Sequence, residues 1–277
     1  MTWRERRGIG RVAAGIIARI YFDISYALLV GSTTGRRFLT LTAVGGVPAH
    51  GYLTVEDRDI LLTDLDPAPG DRLLDLGCGI GSVALEVHRR SGAQIVGIDV
   101  SRRAVAAAAR RARRAGVSAA VSFCSGDLGQ PPLVGATSAY AIDSLMFVPD
   151  LASAIRGVGD ALGPDGRLFA ALLVGGLNPG DRLGRLLHGA DVRVERLDDV
   201  TAALGATGRR RADVAQMLLR EGTATPRGRL AMVLVLAEEA VVRRSIATGR
   251  MSRWRFLIRY PPARDGGSVD GGQSRDR

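Results

Sequence analysis

The chain has 277 residues, of which 46% are hydrophobic, 24% charged and 5% aromatic. This profile is typical of a globular protein with one large or two small domains, and it excludes collagen-like, mucin-like and wholly disordered chains. The net charge is +10, and every one of the 38 basic residues is an arginine. Because the arginines are spread along the whole sequence, we attribute the charge to composition and predict no specific nucleic-acid binding. An anionic partner is the alternative.

The two cysteines, Cys78 and Cys124, lie far apart and belong to no CxxC pair or Cys/His cluster. Disulfide frameworks and zinc sites need paired cysteines at short, regular spacings. We therefore predict two reduced cysteines, no metal site and a cytoplasmic location.

The N-terminal segment 9–30 is apolar, but Arg11, Arg19 and Asp23 interrupt it. These charges argue against a membrane span and against a signal peptide. Apolar side chains recur there at every fourth position, namely at Val12, Ile16, Ile20 and Ile24. This spacing predicts an amphipathic helix that packs on the rest of the protein, while binding to a membrane surface is the alternative.

The middle of the chain alternates strand-like and helix-like patterns. Apolar runs predict strands at 72–76, 94–100, 119–124, 138–142 and 167–174. Helical patterns cover 82–90, 102–114 and 151–162. This alternation predicts βαβ units and a parallel sheet with helices on both faces.

Beyond residue 175 the pattern changes. It predicts a helix at 181–188, a strand at 191–197, helices at 213–221 and 229–248, and a strand at 253–260. The tail 263–277 contains mainly Gly, Ser, Asp and Arg, so we predict that it is disordered. The predicted organisation is an N-terminal helical cap at 1–44, a main domain at 45–262 with inserted lid helices at 198–251, and the tail.

The most informative segment is LLDLGCGIGSVAL at 73–85, in which a strand runs into a glycine-rich turn and then into a helix. Gly77 and Gly79 allow a sharp turn and a close approach of a ligand to the backbone. Asp75 would repel the pyrophosphate of a dinucleotide but attract a cationic amino-acid group. S-adenosylmethionine (SAM) carries an ammonium and a sulfonium and no phosphate, so the turn favours SAM. Ser82, at the third-glycine position, also departs from the dinucleotide pattern.

Three more acids, Asp99, Asp127 and Asp143, come at the ends of successive predicted strands. An acid about 20 residues beyond the turn, at the end of the second strand, typically hydrogen-bonds ribose hydroxyls. Asp99 has this position, and Asp127 follows where the adenine would lie. The carboxyl ends of parallel strands share one edge, so these acids are predicted to line one crevice.

The segments LLDLGCGIGSVALEV, IVGIDVS, CSGDL and IDSLMFVPDLASAI resemble the successive motifs of class I SAM-dependent methyltransferases over residues 51–174. The resemblance implies an α/β, Rossmann-like fold with a seven-stranded, mostly parallel sheet, helices on both faces and an antiparallel last strand. The flanks resemble the natural-product group, which acts on small molecules. That group has an N-terminal helical cap, a GYxT-like segment (here residues 51–54) and a helical insertion before the last strand.

The same resemblance assigns the cofactor contacts. It places the glycine turn at the methionine end of SAM, Asp99 at the ribose, and Asp127 with Leu128 at the adenine. The residues assigned to SAM are Leu53, Thr54, Asp75, Gly77, Cys78, Gly79, Asp99, Val100, Gly126, Asp127, Leu128, Asp143 and Ser144.

On the acceptor side the sequence offers few catalytic groups. Many relatives have a histidine four residues after the acid of the fourth motif, but Phe147 stands there. His50, just before the GYxT-like segment, is the remaining candidate for a catalytic base, and a structural role in its loop is the alternative. Tyr21, Tyr26 and Phe147 are assigned to the substrate pocket; for the tyrosines, packing within the cap is the alternative.

The sequence therefore predicts SAM-dependent methyl transfer to a small-molecule acceptor in secondary metabolism. An RNA methyltransferase and a non-catalytic SAM-binding protein are the alternatives. The segment 143–146 departs from the Asn/Asp-Pro-Pro-aromatic run of enzymes that methylate base amino groups. A prenyl diphosphate acceptor, which would bring Mg²⁺, is compatible with Phe147 and the arginines. The sequence leaves a homo-oligomer open.

Overall fold

The central feature of the computed structural model is one seven-stranded sheet. The model describes residues 3–132, 135–222 and 224–261, with side chains from residue 16 onward. The strands are β1 (Arg72–Leu76), β2 (Gln94–Asp99), β3 (Val121–Ser125), β4 (Ser138–Ile142), β5 (Arg167–Gly175), β6 (Arg193–Asp199) and β7 (Met251–Arg259). Their order is β3-β2-β1-β4-β5-β7-β6. The first five strands are mutually parallel, and β7 is antiparallel to both neighbours, as the resemblance implied.

Alternate side chains of the central strands enter two separate cores, as a sheet covered on both faces requires. Leu74 and Leu76 pack on one face with α6 (Leu151–Leu162) and α7 (Pro179–His188). Leu73 packs on the other face with α3 (Val55–Leu65) and α4 (Ser82–Ser91). This burial leaves the carboxyl ends of the strands as the open edge where a site can form.

A layer of helices covers that edge. It consists of α1 (Trp3–Gly31), α2 (Thr33–Leu41), α8 (Thr201–Arg220) and α9 (Pro226–Ala247). These helices share one apolar cluster with α5 (Arg102–Arg114), which packs on β2 and β3. Tyr26 and Leu29 of α1 and Phe38 of α2 are buried in this cluster. Helices α8 and α9 lie between β6 and β7, where the sequence predicted an insertion.

Several element boundaries were wrong. α8 begins at Thr201, twelve residues before the predicted start, and the sequence analysis missed α2 and α3 altogether. Their starts carry clear capping signals: Ser32 caps α2, and Thr54 and Asp57 form a capping box at α3. β6 is shifted two residues later than predicted. The predicted tail at 263–277 lies outside the described residues.

Buried arginines of β7 join distant parts of the fold. The Arg253 side chain is fully buried and pairs with Asp57 at 2.8 Å and Asp143 at 3.1 Å. Arg255 pairs with Asp57 at 3.4 Å and with Asp198 at 3.1 Å. These pairs tie α3, the end of β4 and β6 to the last strand.

The apolar N-terminal region is bent sharply between α1 and α2. Among the described residues, no single helix is long and apolar enough to cross a bilayer. The pair Ile16–Gly31 and Thr33–Leu41 reaches that length and composition together, but it is bent by 91°.

Candidate active site

A cavity of about 700 Å³ opens at the carboxyl ends of β1 to β4, beneath the helical layer. The strand order reverses between β1 and β4, and such switch points are where open α/β sheets bind ligands. Most of the residues predicted to contact cofactor or substrate line this cavity: Tyr21, Tyr26, His50, Asp75, Gly77, Cys78, Gly79, Asp99, Val100, Gly126, Asp127, Leu128, Asp143, Ser144 and Phe147.

The glycine-rich turn after β1 has backbone angles and close neighbours that only glycine tolerates. Gly77 and Gly79 have φ angles of +82° and +53°, which other residues adopt only with strain. A Cβ on Gly77 would collide with Ser144, whose Oγ donates to Leu76 O at 2.5 Å. A Cβ on Gly79 would lie 2.5 Å from the Tyr26 hydroxyl. The turn is therefore packed between the fourth motif and α1.

Asp99, at the end of β2, is fixed by the backbone on both sides of it. Its two oxygens accept hydrogen bonds from Gly79 N and Ser101 N, both at 2.8 Å. Ser101 caps α5 and donates from its hydroxyl to Asp23 of α1 at 2.7 Å. Burial raises the pKa of Asp99. The predicted ribose acceptor is thus rigid, and α1 is tied to it through one intermediate residue.

Asp75 is buried without a full set of partners. Its side chain lines the cavity at 3% exposure, and its Oδ2 accepts no hydrogen bond from the described part of the chain. Burial raises the pKa of Asp75 to about 8, with a contribution from the Asp99 carboxylate. A buried carboxyl of this kind gains most from a cationic ligand that restores its charge.

A second buried polar atom without a hydrogen-bond partner follows the glycine-rich turn. The Ser82 hydroxyl is buried in the cavity wall and has no hydrogen-bond partner among the described residues. Ser82 is the first residue of α4, and its N-cap, Gly81, provides no side-chain cap. The helix start therefore leaves donors for an anionic group. Together, Asp75 and Ser82 fit a ligand that carries an ammonium and a carboxylate.

Asp127 and its neighbours form the far wall of the cavity. The Asp127 Oδ1 accepts from Gly129 N at 2.9 Å, which closes an Asx-type turn after β3. Gly126 and Leu128 line the cavity on either side of it. This turn forms a shelf beyond Asp99, at the position predicted for the adenine.

Asp143 lines the cavity, but its carboxylate is already engaged. It accepts from Arg253 Nε at 3.1 Å and from Tyr52 N at 2.6 Å. A Cβ on Gly51 would come within 2.6 Å of Asp143 Oδ2, so glycine is required there. Asp143 therefore positions the loop before α3, and the SAM contact predicted for it stays a prediction.

Two residues of the predicted cofactor set do not line the cavity. Leu53 is buried with 2% exposure, and the Thr54 hydroxyl accepts from Asp57 N to cap α3. Leu53 is thus part of the buried core, and Thr54 caps a helix. Gly51 and Tyr52 are the members of the GYxT-like segment that reach the cavity wall.

The end of the cavity that contains the predicted substrate-pocket residues, called the acceptor end below, is lined by aromatic side chains. Phe22 meets Phe147 edge-to-face with ring centroids 4.8 Å apart, and Tyr21 meets Phe22 in the same way at 5.1 Å. Tyr26 and His50 lie 5.5 Å apart. Burial and the Arg211 charge lower the pKa of His50 to about 3. His50 is therefore neutral at physiological pH and a weak base.

Comparison with known proteins identifies the domain that contains this site. Residues 67–188 match the family model described as a methyltransferase domain. The match extends from the turn before β1 to the end of α7.

Curated sequences and one solved structure are similar to this chain. The 27-O-demethylrifamycin SV methyltransferase of Amycolatopsis mediterranei is 35% identical over 43% of this chain and 48% of its own. The chain spans two fifths to about half the length of the curated relatives it matches first. The solved [4+2]-cyclase SpnF has 24% identity, covers 90% of this chain and 97% of its own, and superposes with a TM-score of 0.69.

A solved complex with SAM has the same fold. Phosphoethanolamine N-methyltransferase 2 of Haemonchus contortus is 17% identical, covers 82% of this chain and 57% of its own, and gives a TM-score of 0.68. The sheet of the present chain, with its single antiparallel strand inserted next to β5, is the class I methyltransferase fold.

Several residues of the methyltransferase cavity were missed by the sequence analysis. Ser82 was noted only as a departure from a glycine pattern. Phe22 stands beside the predicted tyrosines, and their spacing could have indicated it. Glu238 of α9 gave no local signal, because only the packing of the inserted helices brings it to the cavity. The same holds for Arg211 of α8, which does not line the cavity but donates to the carbonyl of His50.

Proposed function

We propose that this chain is a SAM-dependent methyltransferase that acts in the cytoplasm on a small organic acceptor of secondary metabolism. The observation that supports it most is the buried carboxyl of Asp75 before the glycine turn, whose Oδ2 has no hydrogen-bond partner among the described residues. A cationic ammonium next to it would compensate the cost of its ionisation. No pyrophosphate-bearing cofactor would gain in this way.

The residues at the cleft divide the work of holding SAM. Asp75 would bind the ammonium, Ser82 and the start of α4 the carboxylate, Asp99 the ribose, and the Asp127 turn the adenine. Bound SAM would supply an electrophilic methyl group on a sulfonium. The chain's own contribution is to orient the acceptor and exclude water, and positioning alone can supply about 7–11 kcal/mol in favourable cases.

A small acceptor suits the remaining space. The cavity is within the range of about 300–1,000 Å³ typical of small-molecule sites, and its acceptor end is lined by aromatic side chains. The fourth-motif segment 143–146 lacks the Pro-Pro-aromatic run expected for base amino groups. These features favour a small molecule over RNA.

A cyclase is the second candidate. The solved protein named as a [4+2]-cyclase covers 90% of this chain. An enzyme of this kind would use the enclosed aromatic cavity to fold its substrate. Conversion of SAM to S-adenosylhomocysteine (SAH) during turnover separates the two candidates.

The cofactor assignment is tested by calorimetry of Asp99→Ala. Removing the ribose acceptor should weaken SAM binding by about 1.5–3 kcal/mol, the usual range for hydrogen bonds to a charged group. Asp59→Ala removes an exposed carboxylate of α3 and serves as the control, with unchanged affinity. Equal SAM affinity in a folded Asp99→Ala protein would contradict the assignment. Transfer of labelled methyl groups to any small acceptor then establishes the reaction.

A further inference from the structure

A carboxylate of the inserted helix α9 faces the acceptor end of the cavity. Glu238 lines the main cavity and also a small adjoining recess with Tyr21 and His50. It is partly buried, and it forms no hydrogen bond or ion pair with the described residues. A charged group in such a place needs a partner from outside the chain.

Of the other charged groups around Glu238, Arg211 and Asp143 have ion-pair partners of their own, and two arginines are exposed to solvent. Arg211 of α8 pairs with Glu239 at 2.5 Å and donates to the His50 carbonyl at 2.9 Å. Asp143 is paired with Arg253. Arg19 and Arg102 also line the cavity, but both are exposed. The Arg211 charge acts on Glu238 and lowers its pKa, after the larger and opposite effect of burial, but none of these groups forms an ion pair with Glu238.

Aromatic side chains line the same end of the cavity as Glu238. Phe22 contacts both Tyr21 and Phe147 edge-to-face, so neighbouring rings are roughly perpendicular to each other. Glu238 is close enough to Tyr21 and Tyr26 for its charge to raise the pKa of both hydroxyls, after the larger effect of burial. Burial raises the pKa of Glu238 itself, and a bound cation would favour its ionised form. Ring faces and a carboxylate are the two groups that attract an organic cation.

We propose that the acceptor of this enzyme is an organic amine whose ammonium group binds against Glu238 and the Tyr21–Phe22–Phe147 rings. This inference rests on the proposed function and narrows its substrate class. A neutral alcohol of the same shape would leave the carboxylate without an ion-pair partner. A diphosphate would be repelled by it.

The test uses two probes of nearly equal shape, phenethylamine and 2-phenylethanol, titrated by calorimetry at pH 7.5 into the full chain with SAH present. We expect the wild type to bind the amine at least tenfold more tightly than the alcohol. Glu238→Gln should reduce this preference to less than twofold, and Glu238→Asp should retain part of it. Glu221→Gln, which removes a surface carboxylate paired with Arg37, should keep the full preference.

The outcomes separate this inference from the proposed function. A wild type that binds neither probe, or that binds both equally, overturns the amine assignment. So does an amine preference that survives Glu238→Gln. SAM affinity of the same proteins is measured in parallel and should differ by less than threefold, since Glu238 lies at the acceptor end. Absence of SAM binding in the wild type would instead overturn the proposed function.

Discussion

Asp75 is more stable protonated than ionised while the cleft holds no cation. A carboxyl whose pKa is raised in the folded state binds its proton more tightly there than in the unfolded chain. Stability from this group is therefore present at low pH and is lost as pH rises from about 4 toward the folded value of about 8. Ligand binding has the opposite dependence, because an ammonium ligand needs the ionised form. Its affinity should rise with pH up to about 8.

Asp75→Asn separates these two effects. The neutral, isosteric amide should raise the melting temperature at pH 8 by about 2–4 °C for each kcal/mol gained, because the cost of ionisation is gone. The same change should weaken SAM binding at least tenfold, since the charged hydrogen bond is lost. Thermal unfolding and calorimetry at pH 6 and pH 8 measure both. Asp66→Asn, at the exposed left-handed end of α3, should alter neither quantity, and a destabilised Asp75→Asn would refute the pKa argument.

Helix α1 contributes to the site as an element, by docking on two parts of the cofactor crevice. Tyr26 covers Gly79, and Asp23 holds the hydroxyl of Ser101 at the start of α5. A carboxylate at a helix N-terminus also interacts favourably with the helix dipole. The N-terminal helix thus belongs to the crevice wall as well as to the covering layer.

Asp23→Ala should loosen this docking. We expect SAM affinity to fall a few-fold, because Ser101 also donates its backbone N–H to Asp99, while the loss of one side-chain hydrogen bond costs about 0.5–1.5 kcal/mol of stability. Calorimetry and urea unfolding measure the two effects. Ile17→Ala, on the exposed face of the same helix, is the matched control. Identical SAM affinity in both variants would show that α1 only covers the core.

The elements that sequence predicted best are those with local signals. The strand–turn–helix at 72–90 was readable because apolar runs, glycines and Asp75 all lie within a few residues. Leu53 and Thr54 were misplaced because the capping box of α3 was overlooked, although its Thr and Asp are three residues apart. Glu238 and Arg253 were beyond reach, since their roles depend on partners more than a hundred residues away or on the packing of inserted helices.

At the scale of the whole molecule, the buried arginine of β7 is the main link between sheet and cleft. The Arg253 guanidinium balances Asp57 and Asp143, and neither carboxylate is exposed. The mutual pairing raises the pKa of Arg253 despite its burial. Removing one partner of a buried pair leaves an uncompensated charge, which costs far more than the pair contributes.

Arg253→Leu should therefore lower the free energy of unfolding by about 3–5 kcal/mol. Arg259→Leu, which breaks an exposed pair with Glu195 in the same strand, should cost less than about 1 kcal/mol. Urea unfolding compares the two variants. If Arg253→Leu does not fold, Arg253→Lys keeps the charge and should fold with reduced stability. Equal losses at positions 253 and 259 would contradict the proposed importance of burial.

The arginine strand also fixes the order in which the site matures during synthesis. Asp143 leaves the ribosome 110 residues before Arg253, although it is this arginine that neutralises it. A nascent chain that already contains the glycine turn and all four strand-end acids still lacks β7, which must enter the sheet between β5 and β6. The pair between Arg253 and Asp143, whose carboxylate also holds the loop at Tyr52, can form only after β7 has been synthesised. The crevice is encoded early in the chain but is completed last.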